Sequence, residues 1–169
     1  MSIDRHNTDS VVSHVRSILD TVTDPEIPAL TINEMGILRG VEINGDSVIV
    51  TITPTYSGCP AIDQITDDIT KVLAEHNYPS TQVALVLSPA WTTDWLSENG
   101  KKKLKEYGIA PPENEPDQRV LFGDPIVVPC PKCNSEDTRL ISQFGSTACK
   151  AHYQCNSCLE PFDYFKCLR

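Results

Sequence analysis

Two Cys-x-x-Cys pairs near the C-terminus place the strongest constraint on how this chain of 169 residues can fold. Cys130 and Cys133 form the first pair, Cys155 and Cys158 form the second, and 21 residues separate the pairs. Two such turns, each offering two thiolates, can surround one Zn²⁺ tetrahedrally and leave no position for water. The spacing therefore predicts a structural zinc site, since a module of about forty residues is too short to fold on an apolar core alone.

The sequence between and after the two pairs has the pattern of short strands. Residues 138–144 and 147–153 flank a turn at Gly145-Ser146, and residues 162–167 can add a third strand. This layout is typical of a zinc ribbon. A thioredoxin-type redox dithiol is the competing interpretation of a Cys-x-x-Cys pair, but two pairs without a following β-α-β pattern make it the minor one.

Two further cysteines in the tail, Cys149 and Cys167, receive no role from this spacing. Free cysteines are commonly buried as small apolar residues, so the simpler interpretation places both in the strands of the ribbon. The alternative is that they supply thiolates to a second site, which would bind iron or an iron–sulfur cluster.

The preceding residues, 1–109, predict a separate α+β domain, a small α/β sandwich in which helices cover a three-stranded mixed sheet. Asn44-Gly45 between two β-rich runs supplies the positive φ angles of a tight hairpin, and apolar residues at helical spacing predict helices on either side. The predicted elements are helices at 10–22, 60–77 and 101–107, strands at 36–43, 47–53 and 81–88, and a helical turn that carries Trp91 and Trp95 on one face.

Residues 110–129 read as a linker between this domain and the zinc ribbon. They contain five of the chain's 13 prolines and four acidic residues. Proline-rich polar segments of this kind interrupt regular structure. The predicted organisation is therefore an α/β domain at 1–109, a linker at 110–129 and a zinc ribbon at 130–169.

Negative charge is concentrated before the cysteine-rich tail. Residues 1–129 contain 9 Lys and Arg against 19 Asp and Glu, whereas residues 130–169 contain 5 against 4. Nucleic acids are bound by cations that displace counterions, so we expect protein or metal partners and no nucleic acid, although the charge could simply keep the domain in solution. No apolar leader and no long apolar run occurs, which predicts a cytoplasmic protein with no membrane partner.

Cys59 is the single cysteine of the first 129 residues, and it lies between Gly58 and Pro60. Because a helix is expected to begin there, free backbone N–H groups and the helix dipole would favour its thiolate. This predicts a thiol that reacts or binds metal, and the simpler alternative is a buried cysteine that packs the helix. Asp24 and Glu26, in an earlier loop, are either solvated carboxylates or groups that converge with Cys59 on one metal.

Several motifs in the first domain resemble the MIP18-like family, which is tied to the assembly of iron–sulfur proteins. They are Asp24-Pro25-Glu26-Ile27-Pro28, Gly36-Ile37, Thr53-Pro54-Thr55 and Gly58-Cys59-Pro60. The resemblance implies that Cys59 is the reactive thiol and that Asp24, Glu26 and Thr55 lie around it. With SPAWTTDW, YGIAPP and the tail FGSTACKAHYQCNSCLEPFDYFKC, residues 10–169 resemble the D subunits of the bacterial phenylacetyl-CoA epoxidase system.

This resemblance implies a non-catalytic accessory protein of aerobic phenylacetate catabolism. Its expected partners are the oxygenase and reductase subunits of the epoxidase, together with a second copy of the chain as a homodimer. As a metallochaperone it would carry iron or an iron–sulfur cluster transiently, beside its structural zinc, to assemble or repair the diiron site or the cluster of these partners.

Two other functions remain open at this point. The chain could be a structural or electron-transfer component of the oxygenase, with the ribbon as a docking surface, or a thiol redox catalyst. The sequence contains no Glu-x-x-His motif of the diiron type and no flavin fingerprint, so we expect the epoxidation chemistry to belong to partners.

Overall fold

The computed structural model describes residues 5–112 and 127–166, and the chain forms two compact units, 1–91 and 92–169. Among the described residues, the first unit contains two α-helices and three strands, and the second contains one α-helix, a short 3-10 helix and four strands. In chain order they are α1 (Arg5–Leu19), β1 (Leu38–Asn44), β2 (Ser47–Ile52), α2 (Ala61–Glu75), β3 (Thr81–Leu85), α3 (Glu98–Tyr107), β4 (Ile109–Ala110), β5 (Thr138–Ser142), β6 (Lys150–Cys155) and β7 (Pro161–Phe165).

The sheet of the first unit has the order β1-β2-β3 and is mixed, as the sequence predicts. β1 and β2 run antiparallel and are joined at Gly45, whose φ of +60° is the positive angle that the Asn-Gly pair predicts. β2 and β3 run parallel, and α2 connects them. A parallel connection brings the carboxyl ends of both strands to the same edge of the sheet.

The helices α1 and α2 supply the apolar residues that close this unit. The two helices contact each other, and in addition α1 contacts β1 and α2 contacts β3. Fully buried side chains of α1, α2 and β2 form the core of this unit: Val15, Leu19, Val50, Ile52, Ile65, Ile69 and Leu73. Truncating a buried isoleucine such as Ile69 to alanine costs about 2–5 kcal/mol, so this cluster carries much of the stability of the unit.

The predicted helical pairing of Trp91 and Trp95 is wrong. Trp91 lies in an irregular segment, where it is buried and donates its Nε1–H to the carbonyl of Met35 at 2.9 Å. Trp95 ends a short 3-10 helix, Thr93–Trp95, that begins after Thr92. Thr92 has an extended backbone, with φ −130° and ψ 154°, and this interrupts any helical path between the two tryptophans.

The second unit is a four-stranded sheet of order β4-β7-β6-β5. The three strands β5, β6 and β7 confirm the predicted ribbon, with antiparallel pairing throughout. Its small core contains Ala110, Val128, Cys130, Ala151, Tyr153, Cys155, Phe162 and Tyr164. The ring of Tyr153 stacks on Phe162 at 5.9 Å and meets Tyr164 edge-on at 5.8 Å, which gives a module with few aliphatic residues an aromatic core.

The fourth strand of this sheet, β4, is too short to be predicted from the sequence pattern. It follows α3 directly after Gly108, whose φ of +93° ends the helix, and it pairs in parallel with β7. The pairing joins α3 and β4 to the unit that holds the ribbon, so the compact units divide after Trp91, while the predicted domain boundary lies at residue 109. Residues 113–126 of the predicted linker lie outside the described residues.

Within the described ranges, the helices are all too short or too polar to cross a membrane.

Candidate functional site

Cys59 lies in the loop that connects β2 to α2, at the carboxyl edge of the sheet. The loop turns at Gly58, whose φ is +83°, and the Cys59 N–H donates to the carbonyl of Tyr56 at 3.3 Å. Pro60 precedes the first residue of α2, so the predicted position of the thiol at a helix N-terminus is confirmed. Open clefts at the carboxyl ends of parallel strands are common ligand sites in α/β folds.

The protonation of Cys59 differs from the expectation based on the helix dipole. Partial burial raises the pKa of the Cys59 thiol, and the Glu26 carboxylate raises it further. Hydrogen bonds from the Ala61 N–H and from the hydroxyls of Tyr56 and Thr55 act in the opposite direction but do not outweigh burial. The helix N-terminus therefore does bond the sulfur, yet the resting side chain is a protonated thiol at neutral pH.

Asp24 holds the loop that carries Glu26. Its Oδ1 accepts hydrogen bonds from the N–H groups of Glu26 and Ile27, both at 2.8 Å, and the residue is 4% exposed. This is the arrangement by which an aspartate replaces the missing backbone acceptors of a tight turn. Asp24 thus fixes the loop, while Glu26 is the carboxylate close enough to act on Cys59.

Two hydroxyl-bearing residues, Thr55 and Tyr56, lie beside Cys59, and Tyr56 is not among the residues that the sequence motifs indicate. Thr55 is buried and Tyr56 is partly exposed, and each has a hydroxyl that hydrogen-bonds the sulfur of Cys59. Tyr56 stands three residues before Cys59 in the same turn, as the 3.3 Å bond to its carbonyl shows. The sequence signal for Tyr56 is its position three residues before Cys59, because a tight turn brings residue i close to residue i+3.

The four cysteines of the two pairs converge in the second unit, as their spacing predicts. Their sulfur atoms all lie within 4.8 Å of one another, and two distances cross between the pairs: 3.8 Å from Cys130 to Cys158 and 3.6 Å from Cys133 to Cys155. Four sulfurs at about 2.3 Å from a tetrahedral Zn²⁺ would be separated by about 3.8 Å, so the cluster fits this ion. The distances are far longer than the bond of about 2.05 Å in a disulfide.

Backbone N–H groups form hydrogen bonds with two of these sulfurs, those of Cys155 and Cys133. Hydrogen bonds from the N–H groups of Cys158 and Ser157 lower the pKa of Cys155 to about 6. A hydrogen bond from the Ser135 N–H acts in the same direction on Cys133. Desolvation and the adjacent sulfurs outweigh it there and raise the pKa of Cys133 to about 12. Four adjacent sulfurs cannot all become thiolates unless a cation neutralises them, so the cluster is built for a metal.

The other two tail cysteines have no place in this cluster. Cys149 is buried just before β6, and its Sγ lies 3.0 Å from the Thr147 hydroxyl oxygen. Cys167 lies outside the described residues. Within the part of the chain that the structure describes, the four-cysteine cluster is the one group of three or more potential metal ligands, so Asp24, Glu26 and Cys59 do not form a ready metal site by themselves.

Comparisons with known families identify both parts of the chain. Residues 13–85 match an iron–sulfur cluster assembly protein family, and residues 114–166 match the PaaD zinc β-ribbon domain. Over 60% of its length the chain is similar in fold to a crystal structure of the DUF59 domain from Bacillus anthracis, with a TM-score of 0.56, 26% identity and 97% of that chain covered. The MIP18-like resemblance of the motifs is therefore confirmed.

Two relatives cover different shares of the chain. An iron–sulfur protein maturation auxiliary factor of Porphyromonas gingivalis is 35% identical over 89 residues, which are 52% of this chain and 84% of that protein. The D component of the 1,2-phenylacetyl-CoA epoxidase of Escherichia coli K12 is 46% identical over 157 residues, and the match covers 93% of both chains. The protein therefore belongs to the family of 1,2-phenylacetyl-CoA epoxidase D components, with an iron–sulfur cluster assembly domain and a PaaD zinc β-ribbon in one chain.

Proposed function

We propose that this protein is a non-catalytic maturation factor of the phenylacetyl-CoA epoxidase complex, which helps to assemble or repair the iron or iron–sulfur centres of the oxygenase and reductase subunits. The observation that carries the proposal is the Cys59 site, a single thiol with hydroxyl and backbone donors in a domain of the iron–sulfur assembly family. The match to the Escherichia coli relative covers 93% of this chain and 93% of that protein, and its name as an epoxidase subunit supplies the proposed clients.

A thiol that is protonated at rest suits a carrier, because the neutral thiol is a weak metal ligand and becomes a strong one only when it loses its proton. As iron in the cargo bonds to the Cys59 sulfur, the S–H bond breaks and its proton passes to the Glu26 carboxylate or to water. Hydrogen bonds from Thr55, Tyr56 and the Ala61 N–H then stabilise the sulfur as a ligand. One sulfur cannot hold a cluster alone, so the remaining ligands come from the client or from a second copy of the chain.

The zinc ribbon has a structural role in this proposal. Cys130, Cys133, Cys155 and Cys158 would hold one Zn²⁺ with no open position, and such a closed site stabilises a fold without taking part in chemistry. All of these thiols have to stay reduced, which is the condition of the cytoplasm.

The test is genetic and uses Cys59→Ser against Cys149→Ser in cells grown on phenylacetate. Cys59→Ser should leave the fold and the bound zinc intact while the epoxidase loses activity, because its oxygenase and reductase subunits accumulate with incomplete metal centres. Iron content and the cluster absorbance of the purified partners measure this directly. Full metal content in partners produced without this protein would rule out the maturation role.

A second candidate function is supported by one surface of the ribbon. Ile141 and Phe144 are 51% and 65% exposed, and both lie at or beside the outer strand β5. Exposed apolar residues on an edge strand favour protein docking, so the chain could serve as a structural or electron-transfer component of the oxygenase. A complex with the oxygenase that persists during turnover, with normal metal content when the protein is absent, would favour this alternative.

A further inference from the structure

The outer edge of β3 is an unprotected strand edge. Within the described residues β3 pairs with β2 on one side only. Edge strands are usually protected by charged residues that prevent pairing with other chains, but the sequence has no Asp, Glu, Lys or Arg from His76 to Thr93. Leu85 and Leu87 are instead 52% and 57% exposed. This edge therefore offers free backbone donors and acceptors together with apolar side chains.

The exposed leucines lie at the same end of the sheet as Cys59. Leu85 is paired with Ile52, the last residue of β2, and the Val86 N–H donates to the Ile52 carbonyl at 2.9 Å. The chain leaves β2 at this point and reaches Cys59 seven residues later. A segment bound along β3 would consequently run toward the thiol.

The charge of the unit indicates what kind of segment fits this edge. Residues 1–91 contain 4 Lys and Arg against 12 Asp and Glu. Two of the acidic groups belong to the Cys59 end, Glu26 beside the thiol and Asp63 in the first turn of α2. Like charge disfavours a second copy of this unit at the edge, and opposite charge favours a basic partner.

We propose that the outer edge of β3 binds an extended segment of a client protein, which has apolar side chains at alternate positions and basic side chains between them. The segment adds a strand to the sheet through backbone hydrogen bonds, its apolar side chains cover Leu85 and Leu87, and its cations complement the net negative charge of residues 1–91. Adding a strand to a free edge is a common mode of peptide recognition. The inference rests on the proposed function for the identity of the client, while the binding itself does not depend on Cys59.

The test uses three synthetic peptides and the full chain with its zinc. One peptide alternates lysine and valine over eight residues, the second replaces lysine with glutamate, and the third places prolines at two central positions of the first. Backbone amide NMR should show shifts at residues 81–87 and in the Cys59 loop with the lysine peptide, and no comparable shifts with the other two. Leu85→Ser combined with Leu87→Ser should weaken binding at least tenfold.

The matched control is Ile141→Ser, which removes an equally exposed residue from the ribbon and should leave the affinity unchanged. Equal affinity of the leucine double variant and the unchanged protein would overturn the proposal, as would equal binding of the glutamate peptide. Sedimentation that shows a dimer lost in the double variant would assign the edge to a second copy. Cys59→Ser should still bind the peptide, so a failure of the maturation role is distinguishable from a failure of this edge.

Discussion

The Glu26 carboxylate acts on the Cys59 thiol, although 32 residues separate them in the chain and they belong to different loops. Two local features bring them into range: Asp24 fixes the first loop through two hydrogen bonds of 2.8 Å, and Gly58 turns the second at a φ of +83°. The relationship makes the thiol harder to ionise at rest and places a proton acceptor beside it.

The reactivity of Cys59 should depend on pH with a midpoint above that of an ordinary thiol, which is about 8.5. Burial and Glu26 both raise its pKa, so removing the charge with Glu26→Gln should lower the midpoint and speed alkylation at pH 7.5. Mass spectrometry of the labelled Cys59 peptide between pH 6 and 10 measures both midpoints. Identical midpoints in the two proteins would show that Glu26 does not act on the thiol.

The same shift predicts how Cys59 contributes to stability. The pKa is raised in the folded state, so the unfolded chain releases this proton first as the pH rises. The stabilisation that the protonated Cys59 thiol gives the folded state is fully present below the pKa of the thiol in the unfolded chain. It is lost as the pH rises through the higher pKa of the thiol in the folded protein. Denaturation curves should therefore show a larger loss of stability above about pH 8.5 in the unchanged protein than in Cys59→Ser.

Asp24→Ala should destabilise the first unit by about 1–3 kcal/mol, because the N–H groups of Glu26 and Ile27 lose their acceptor in a buried position. Asp24→Asn keeps an acceptor oxygen and serves as the matched control, with a smaller loss. Urea denaturation measures both. The alanine variant should also lower the Cys59 alkylation midpoint, since the loop no longer holds Glu26 in place.

Gly58→Ala should cost about 1–2 kcal/mol, because a φ of +83° is unfavourable for any residue with a side chain. No atom lies within 4 Å of the added Cβ, so the cost is one of backbone conformation and not of collision. Gly40→Ala is the control, since its added Cβ meets Thr51 at an ordinary 3.7 Å without a positive φ. Comparable stability of the two variants would contradict the assigned backbone strain.

Removal of zinc should unfold the ribbon and leave the first unit folded. A structural zinc site contributes about 10–16 kcal/mol of apparent binding free energy, whereas the first unit has a separate apolar core. Chelation followed by limited proteolysis should release a resistant fragment that contains residues 5–91. Cys155→Ser should give the same pattern without chelator, and a ribbon that resists the protease in both experiments would contradict a zinc-dependent fold.

Local sequence rules were sufficient for the helices α1, α2 and α3, for the strands other than β4, and for the metal cluster. Gly45 and Gly108 have positive φ angles that few other residues adopt, and the helical spacing of Ile65, Ile69 and Leu73 is a property of neighbouring residues. In each Cys-x-x-Cys turn, the relative position of the two sulfurs is likewise determined by four consecutive residues. The sheet between the turns only has to bring the two turns together. Such features depend on short-range chemistry, which a sequence displays directly.

The chemistry of the Cys59 site was decided by the tertiary structure. The sequence placed the thiol at a helix N-terminus, where the dipole lowers a pKa, but burial and a carboxylate from a distant loop raise it. The partnership of β4 with β7 and the exposure of Leu85 and Leu87 are decided in the same way, by which strands become neighbours and which remain at an edge. Burial, electrostatic reach and edge position depend on residues far apart in the chain, and only the folded structure brings those together.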